Sequence, residues 1–168
     1  MGRAKGRSPL FVGDPDRVLF LLGVRDVVTD LGWGCLAYCL MTTHYHLLVT
    51  TPQPDLALGM QRLNGRYGAG FNLRHRGRGH VFGDRYRCEP ISRDSHLLET
   101  LRYIALNPVR AGLVRRPEDW RWSSHRALLE GDVGATWLAE NEVLELFGRG
   151  GGARARRRYG VFVAEGLA

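Results

Sequence analysis

The sequence predicts a mixed fold in which strands and helices share one hydrophobic core. A run rich in β-branched, aromatic and apolar residues, Tyr38 to Thr50, reads as a buried strand. Before and after it, apolar residues recur at helical spacing, over 15–31, from Asp55 to Phe71 and again up to Leu106. A chain of 168 residues with 44% apolar composition is long enough for one domain with a real core, and neither an internal repeat nor a linker divides it. The expected organisation is one domain over 1–147 and a basic tail over 148–168.

Taken in order, the first residues are short and basic, with no clear element until Leu10-Phe11-Val12. Asp14 reads as an N-cap, Pro15 suits the first turn and Asp16 adds charge favourable to the helix dipole. The helix runs to Leu31, with Val18, Leu19, Leu22 and Val27 offered to the core. Gly32-Trp33-Gly34 turns the chain into the strand. Side chains alternate across a strand, so His44 and His46 share one face, while Tyr45, Leu47 and Val49 take the other. Two imidazoles on one side make half of a metal site; the plainer reading is two histidines on a half-exposed sheet face. A zinc set of Cys35, Cys39, His44 and His46 is disfavoured, because on an unbroken strand the cysteines and histidines have opposite parity. With Cys88 the cysteines number three, an odd count without framework spacing, which fits free thiols. Thr51-Pro52-Gln53-Pro54 stops the strand.

Asp55 opens a second helix whose buried stripe is Leu56, Met60, Leu63, Tyr67 and Phe71; Arg62, Asn64 and Arg66 form its other face. Arg74 to Arg87 is basic and glycine-rich, with Arg74, Arg76, Arg78, Arg85 and Arg87 against Asp84, and Phe82 and Tyr86 interleaved. Arginines position phosphates and aromatics stack on bases, a combination suited to single-stranded nucleic acid; the alternative is a solvated loop followed by a strand, Tyr86 to Ile91, with core aromatics. The net charge of +7, almost entirely from arginine, favours a polyanionic partner, although a GC-rich genome also enriches arginine. Ser92 or Asp94 starts a third helix through Leu106, with Leu97, Leu98, Leu101, Ile104 and Ala105 apolar and Pro108 ending it. Tyr103 and Asn107 lie at i and i+4, on one face of that helix end; without more, they are a boundary tyrosine and a helix-terminal asparagine. Ser123 or Ser124 caps a short helix from His125 to Leu129, and 136–147 forms another. The tail carries Arg154, Arg156, Arg157 and Arg158, and reads either as part helix running on to Phe162 or as a mobile arm. No apolar run spans a bilayer and no signal peptide opens the chain, so a cytoplasmic protein is expected.

In combination these stretches resemble a family. Met41-Thr42-Thr43-His44-Tyr45-His46-Leu47-Leu48-Val49 resembles the histidine pair of the HUH single-tyrosine transposases. Gly79-His80-Val81-Phe82 with Arg85-Tyr86, Tyr103-Ile104-Ala105-Leu106-Asn107-Pro108-Val109-Arg110-Ala111-Gly112-Leu113-Val114, and Pro117-Glu118-Asp119-Trp120 with Trp122-Ser123-Ser124 resemble the branch associated with repetitive extragenic palindromes (REP). The similarity runs from about Pro9 to the C-terminus. It implies an α+β, ferredoxin-like antiparallel sheet with helices on one face. It implies a divalent metal, Mg²⁺ or Mn²⁺, on His44 and His46, with Asn107 completing the site and Tyr103 as nucleophile. The implied substrate is single-stranded or hairpin DNA, cut and rejoined through a 5′-phosphotyrosine, with Arg62, Arg66, Arg74, Arg76, Arg78, Arg85 and Arg87 along its backbone. The chain would act as a monomer or homodimer.

Two departures from the family pattern are expected to matter. Ala105 stands where the family usually has histidine. The chain also begins inside the turn that follows the family's first strand, at about Arg3 to Arg7, and so is expected to lack that strand. A misassigned start codon, a dimer partner filling the gap or a decaying copy would each account for it. Two other functions compete: an inactive or domesticated module that grips hairpin DNA without cutting, and a metal-dependent phosphodiesterase that uses water and leaves Tyr103 a structural role.

Overall fold

The computed structural model describes residues 1–6, 8–131, 136–148 and 152–167. Two expectations extend beyond these, at the Arg7 end of the first turn and at residues 149–151 of the tail. The described elements are β1 (Gly2–Arg3), α1 (Asp14–Leu31), β2 (Gly34–Leu40), β3 (His44–Thr50), α2 (Leu56–His75), α3 (Asp94–Arg110), α4 (His125–Glu130), α5 (Glu140–Glu145) and α6 (Gly152–Ala164). Short 3₁₀ turns lie at Pro117–Asp119 and Glu165–Leu167. The strands form an antiparallel sheet in the order β1-β3-β2, so the histidine strand is central. The expected α+β class holds.

The single strand expected over Tyr38–Thr50 is two strands. The backbone reverses at Met41-Thr42-Thr43, with Met41 N–H donating to the His44 carbonyl (2.9 Å). The parity argument against a cysteine–histidine zinc set therefore fails, since a turn resets the alternation. The zinc set fails on another ground: among the described residues no three His, Cys, Asp or Glu side chains are grouped to hold a metal. Cys35 and Cys39 are buried thiols, pushed up to about 12 by desolvation. The place expected to be vacant beside the histidine strand is taken by the two residues of β1, pairing Gly2 with Tyr45 and Arg3 with His44.

The chain divides into two compact units. The first comprises 1–34, 40–46 and 50–88; the second comprises 35–39, 47–49 and 89–168. In the first, α1 and α2 pack together on the Tyr45 side of the sheet around an aromatic cluster. Phe20 lies 4.5 Å from Tyr45 and 5.3 Å from Tyr67 between ring centroids, with Phe11 5.5 Å from both Phe20 and Tyr67. The core face of α1 is Phe20, Gly23, Val24, Val27 and Val28. Val18 and Leu22, expected inside, are exposed. Five consecutive apolar residues, Val18 to Leu22, left the helix's orientation undetermined by periodicity. Gly13, not Asp14, precedes the helix. Asp16 makes the cap, its carboxylate accepting from the Val12 and Gly13 N–H groups (2.9 and 3.1 Å). His75 (2.9 Å) and Arg74 (3.5 Å) also reach that carboxylate. Burial works to raise the Asp16 carboxyl, but the bonds from His75, Gly13 and Val12 outweigh it and hold it below its ordinary value.

On α2, Met60, Leu63 and Tyr67 are buried as expected, but Asn64 is not on the outer face. Its side-chain carbonyl accepts from the Tyr45 hydroxyl (2.9 Å). Two glycines of this helix give a matched test. A Cβ on Gly59 would fall within the Trp33 indole, whose N–H donates to Asp55 (2.7 Å); a Cβ on Gly65 meets nothing within 4 Å. Alanine favours a helix by about 1 kcal/mol over glycine, while overpacking costs about 1–3 kcal/mol. Gly65→Ala is expected to raise the urea midpoint and Gly59→Ala to lower it.

In the second unit, strand residues 35–39 are clasped by two loops. Ser124 Oγ accepts from the Tyr38 N–H (3.0 Å), Ser124 N–H donates to the Tyr38 carbonyl (3.0 Å), and Ala139 N–H donates to the Cys35 carbonyl (2.8 Å). The Ser124 hydroxyl is thus spent on the strand rather than on capping α4. Helix α3 continues through Pro108 to Arg110 instead of ending at it. The proline lies in the last turn, where the lost N–H removes one bond, and Ala111, Gly112 and Leu113 close the end onto Asn107, Val109 and Pro108 carbonyls. Residues 152–164 of the tail are helix α6, burying Ala155, Tyr159 and Val163. Arg156 donates to the Ala127 and Leu128 carbonyls (3.1 and 3.0 Å) near the end of α4, and Arg102 lies over the Phe162 ring at 3.9 Å.

His125 is buried against the Tyr159 hydroxyl (2.9 Å), and desolvation lowers it to about 4, with Glu118 pulling the other way. Between pH 6.5 and 4 the unfolded chain takes up a proton that the folded chain refuses, so stability falls as pH falls. The loss is about 3 kcal/mol when complete. Urea unfolding of wild type and His125→Gln at pH 7.5 and 4.5 checks this. The variant, which has no imidazole to titrate, is expected to lose less stability on acidification.

Candidate active site

The register of β3 sets where its two histidines point. Tyr45 is fully buried against Phe20, with α1 and α2 beyond it. Alternation then turns His44 and His46 to the opposite face. Their rings stand edge to face with centroids 5.1 Å apart. His44 Nδ1 lies 3.2 Å from the Thr43 hydroxyl. His46 is the more buried, and desolvation, then the charges of His44, the terminal amine and Arg3, lower it to about 4. At neutral pH it is therefore an uncharged imidazole with a lone pair to give, the form that binds metal. Among the described residues no His, Cys, Asp or Glu joins the pair to make a group of three, so oxygens from water and phosphate would fill the remaining positions of a hard cation such as Mg²⁺ or Mn²⁺. The pair fits the expected cofactor.

The second unit carries Tyr103 and Asn107 on α3. Tyr103 is 45% exposed, whereas Asn107, one turn on, is 9% exposed. The Arg110 guanidinium lies 5.8 Å from the Tyr103 ring centroid. Ala105, in place of the family's histidine, is a buried core residue.

All seven predicted DNA-contacting arginines are exposed. Arg66 forms an ion pair with Asp26, and Arg74 belongs to the Asp16 cluster. Arg62, Arg76, Arg78, Arg85 and Arg87 make no ion pair among the described residues. Phe82 is half-buried, its ring 6.3 Å from Tyr45 and 6.0 Å from Tyr67, so it packs against the aromatic cluster rather than standing free as a platform for bases. Nor is Tyr86 to Ile91 a strand. Instead 81–87 runs beside the first residues of the chain, with Lys5 N–H on the Val81 carbonyl (3.0 Å), Gly83 N–H on Arg3 (3.2 Å) and Arg87 N–H on Met1 (2.9 Å). Between the two segments lies a cleft of about 190 Å³ lined by Met1, Arg3, Ala4, Asp84, Arg85 and Arg87. Arg3 carries no motif that marks it in the sequence; only the pairing of β1 with β3 reveals it.

Comparison with known proteins agrees with this architecture. The family described as "Transposase IS200 like" matches residues 1–107. No curated protein sequence is a match. Among solved structures, that of a REP-associated tyrosine transposase bound to a REP hairpin is similar, with a TM-score of 0.67, 16% identity and 77% of each chain covered. At that identity the likeness speaks for the fold, and the family match speaks for descent. Among the described residues, no helix is long and apolar enough to cross a membrane. With the family matched over well more than half of its length, the chain belongs to the IS200-like transposases.

Proposed function

We propose that this transposase cleaves and rejoins single-stranded DNA at hairpin-containing sites, with Tyr103 as nucleophile and His44, His46 and Asn107 holding a divalent cation, Mg²⁺ or Mn²⁺. The observation that carries the reading is the histidine pair: two imidazoles on one sheet face, one of them held neutral by burial, in a chain of a transposase family. The solved relative bound to a REP hairpin supports hairpin DNA as the partner.

The Tyr103 hydroxyl attacks the phosphorus of a phosphodiester. The new bond is Tyr Oη–P, the bond that breaks is P–O3′, and the products are a 5′-phosphotyrosine and a free 3′-hydroxyl. The phenolic proton leaves to solvent, and the 3′-oxygen gains one. The phosphotyrosine keeps the ester's free energy, so attack by a second 3′-hydroxyl rejoins the strand without an external energy source. The cation, when bound, polarises the phosphate and eases departure of the 3′-oxygen. Arg110, near the tyrosine ring, attracts the phosphate that Tyr103 attacks. Arg62, Arg76, Arg78, Arg85 and Arg87 offer charge to the backbone on either side; Arg66 and Arg74 contribute less, being shared with Asp26 and Asp16.

The test is a covalent-adduct assay. Labelled single-stranded hairpin DNA taken from beside the gene is incubated with the protein and Mn²⁺ or Mg²⁺, then run on a denaturing gel. A slow band lost with EDTA is expected. Salt-dependent binding with no band under any metal would mean a module that grips DNA without cutting.

A further inference from the structure

In antiparallel pairing, residues directly opposite each other point to the same face. Gly2 opposes Tyr45, and a Cβ on Gly2 would lie 2.5 Å from the Tyr45 ring, so that position faces the core. Arg3, the next residue, opposes His44 and faces the other way, onto the side that bears both histidines. Its charge is felt at His46. The same cleft contains Arg85 and Arg87, held there because 81–87 hydrogen-bonds to the first residues and because the half-buried Phe82 ring packs on Tyr67. Among the described residues Arg3, Arg85 and Arg87 make no ion pair, and all three are exposed. Three guanidiniums gather around one concavity, with Asp84 the only carboxylate in its lining among the described residues. Like charges converge this way at a cost, and a bound anion relieves it.

We infer that Arg3, with Arg85 and Arg87, forms a phosphate subsite on the histidine face of the sheet, which holds one phosphate of the DNA strand beside His44. The inference rests on the reading of this chain as a DNA transposase and adds to it a positioning residue outside the histidine and tyrosine motifs. Arg3 presents a planar fork of donors to two phosphate oxygens. It thereby sets which phosphodiester lies at the histidine pair.

The test pairs protein variants with a chemically altered strand. Wild type, Arg3→Ala and Arg3→Lys are measured against the same single-stranded hairpin oligonucleotide, bearing in turn one uncharged methylphosphonate at each position flanking the hairpin. Wild type is expected to lose about tenfold in affinity at the position held by the subsite, and Arg3→Ala to lose clearly less there than wild type does, because one of the phosphate's three guanidinium partners is already gone. Arg3→Ala also lowers the slope of log affinity against log salt by roughly 0.7. Arg3→Lys restores the slope but not the full affinity. The exposed side chain leaves the unfolding midpoint unchanged. Where the adduct forms, the coupled phosphate is the cleaved one or its neighbour.

Losses that add at every position, or a coupled phosphate remote from the cut, overturn the subsite and leave the transposase reading standing. Coupling at one position without any adduct keeps the subsite and removes the cleavage reading. Failure of wild type to bind the hairpin overturns both.

Discussion

Tyr103→Phe yields no covalent protein–DNA adduct while still binding hairpin DNA. Removing one oxygen deletes the atom that forms the bond to phosphorus, and the Thr100 hydroxyl, one turn back on α3, is spent on the His96 carbonyl (2.8 Å). The expected fall in strand cleavage is at least about a thousandfold, as for loss of any obligatory nucleophile. The variant is a clean one, because Tyr103 is 45% exposed and its ring remains. A surface change of this kind moves stability by no more than about 0.5 kcal/mol. Unfolding midpoint, hairpin affinity and adduct yield, measured on one preparation, separate the effects. Cleavage that survives at wild-type rate, still sensitive to EDTA, would assign the attack to a water molecule and make the protein a metal-dependent phosphodiesterase.

The candidate functional residues differed in how far the sequence disclosed them. The histidine pair was readable because an alternation of period two survives any error in strand length: His44 and His46 share a face whether the strand starts at Tyr38 or at His44. The turn before them was not readable. Met41-Thr42-Thr43 contains neither glycine nor proline, and its residues favour strands. The α3 stripe around Leu101 and Ile104 was readable from charge on the opposite side, whereas α1 turned a different face inward from the one chosen within Val18–Leu22. Least accessible was the pairing of 1–5 with 81–87. It joins residues about eighty positions apart, uses backbone groups common to every residue, and leaves no periodic trace. Arg3 and the true place of Phe82 both depend on it. Family resemblance identified side chains that carry motifs. Side chains positioned by backbone pairing needed the fold.

Tyr67→Ala is expected to cost about 3–5 kcal/mol, the range for truncating a large buried aromatic. Tyr67 is 1% exposed and its ring centroid lies 5.3 to 6.0 Å from those of Phe20, Phe11, Phe71 and Phe82. Its hydroxyl donates to the Leu10 carbonyl, and burial pushes that hydroxyl well above its ordinary range, so it remains a donor at any working pH. The two parts are separable: Tyr67→Phe removes only the hydrogen bond and is expected to cost about 1 kcal/mol. Urea unfolding of both variants checks the ratio. The consequence reaches the site through two paths from one ring. Phe20 seats Tyr45, whose inward packing keeps the histidines on the outer face; Phe82 seats the segment that brings Arg85 and Arg87 to Arg3. Tyr67→Ala should therefore weaken hairpin binding even under conditions where the variant is fully folded, whereas Tyr67→Phe should not. A folded Tyr67→Ala protein with wild-type hairpin affinity would show that the histidine face and its arginines are held by the backbone ladder alone.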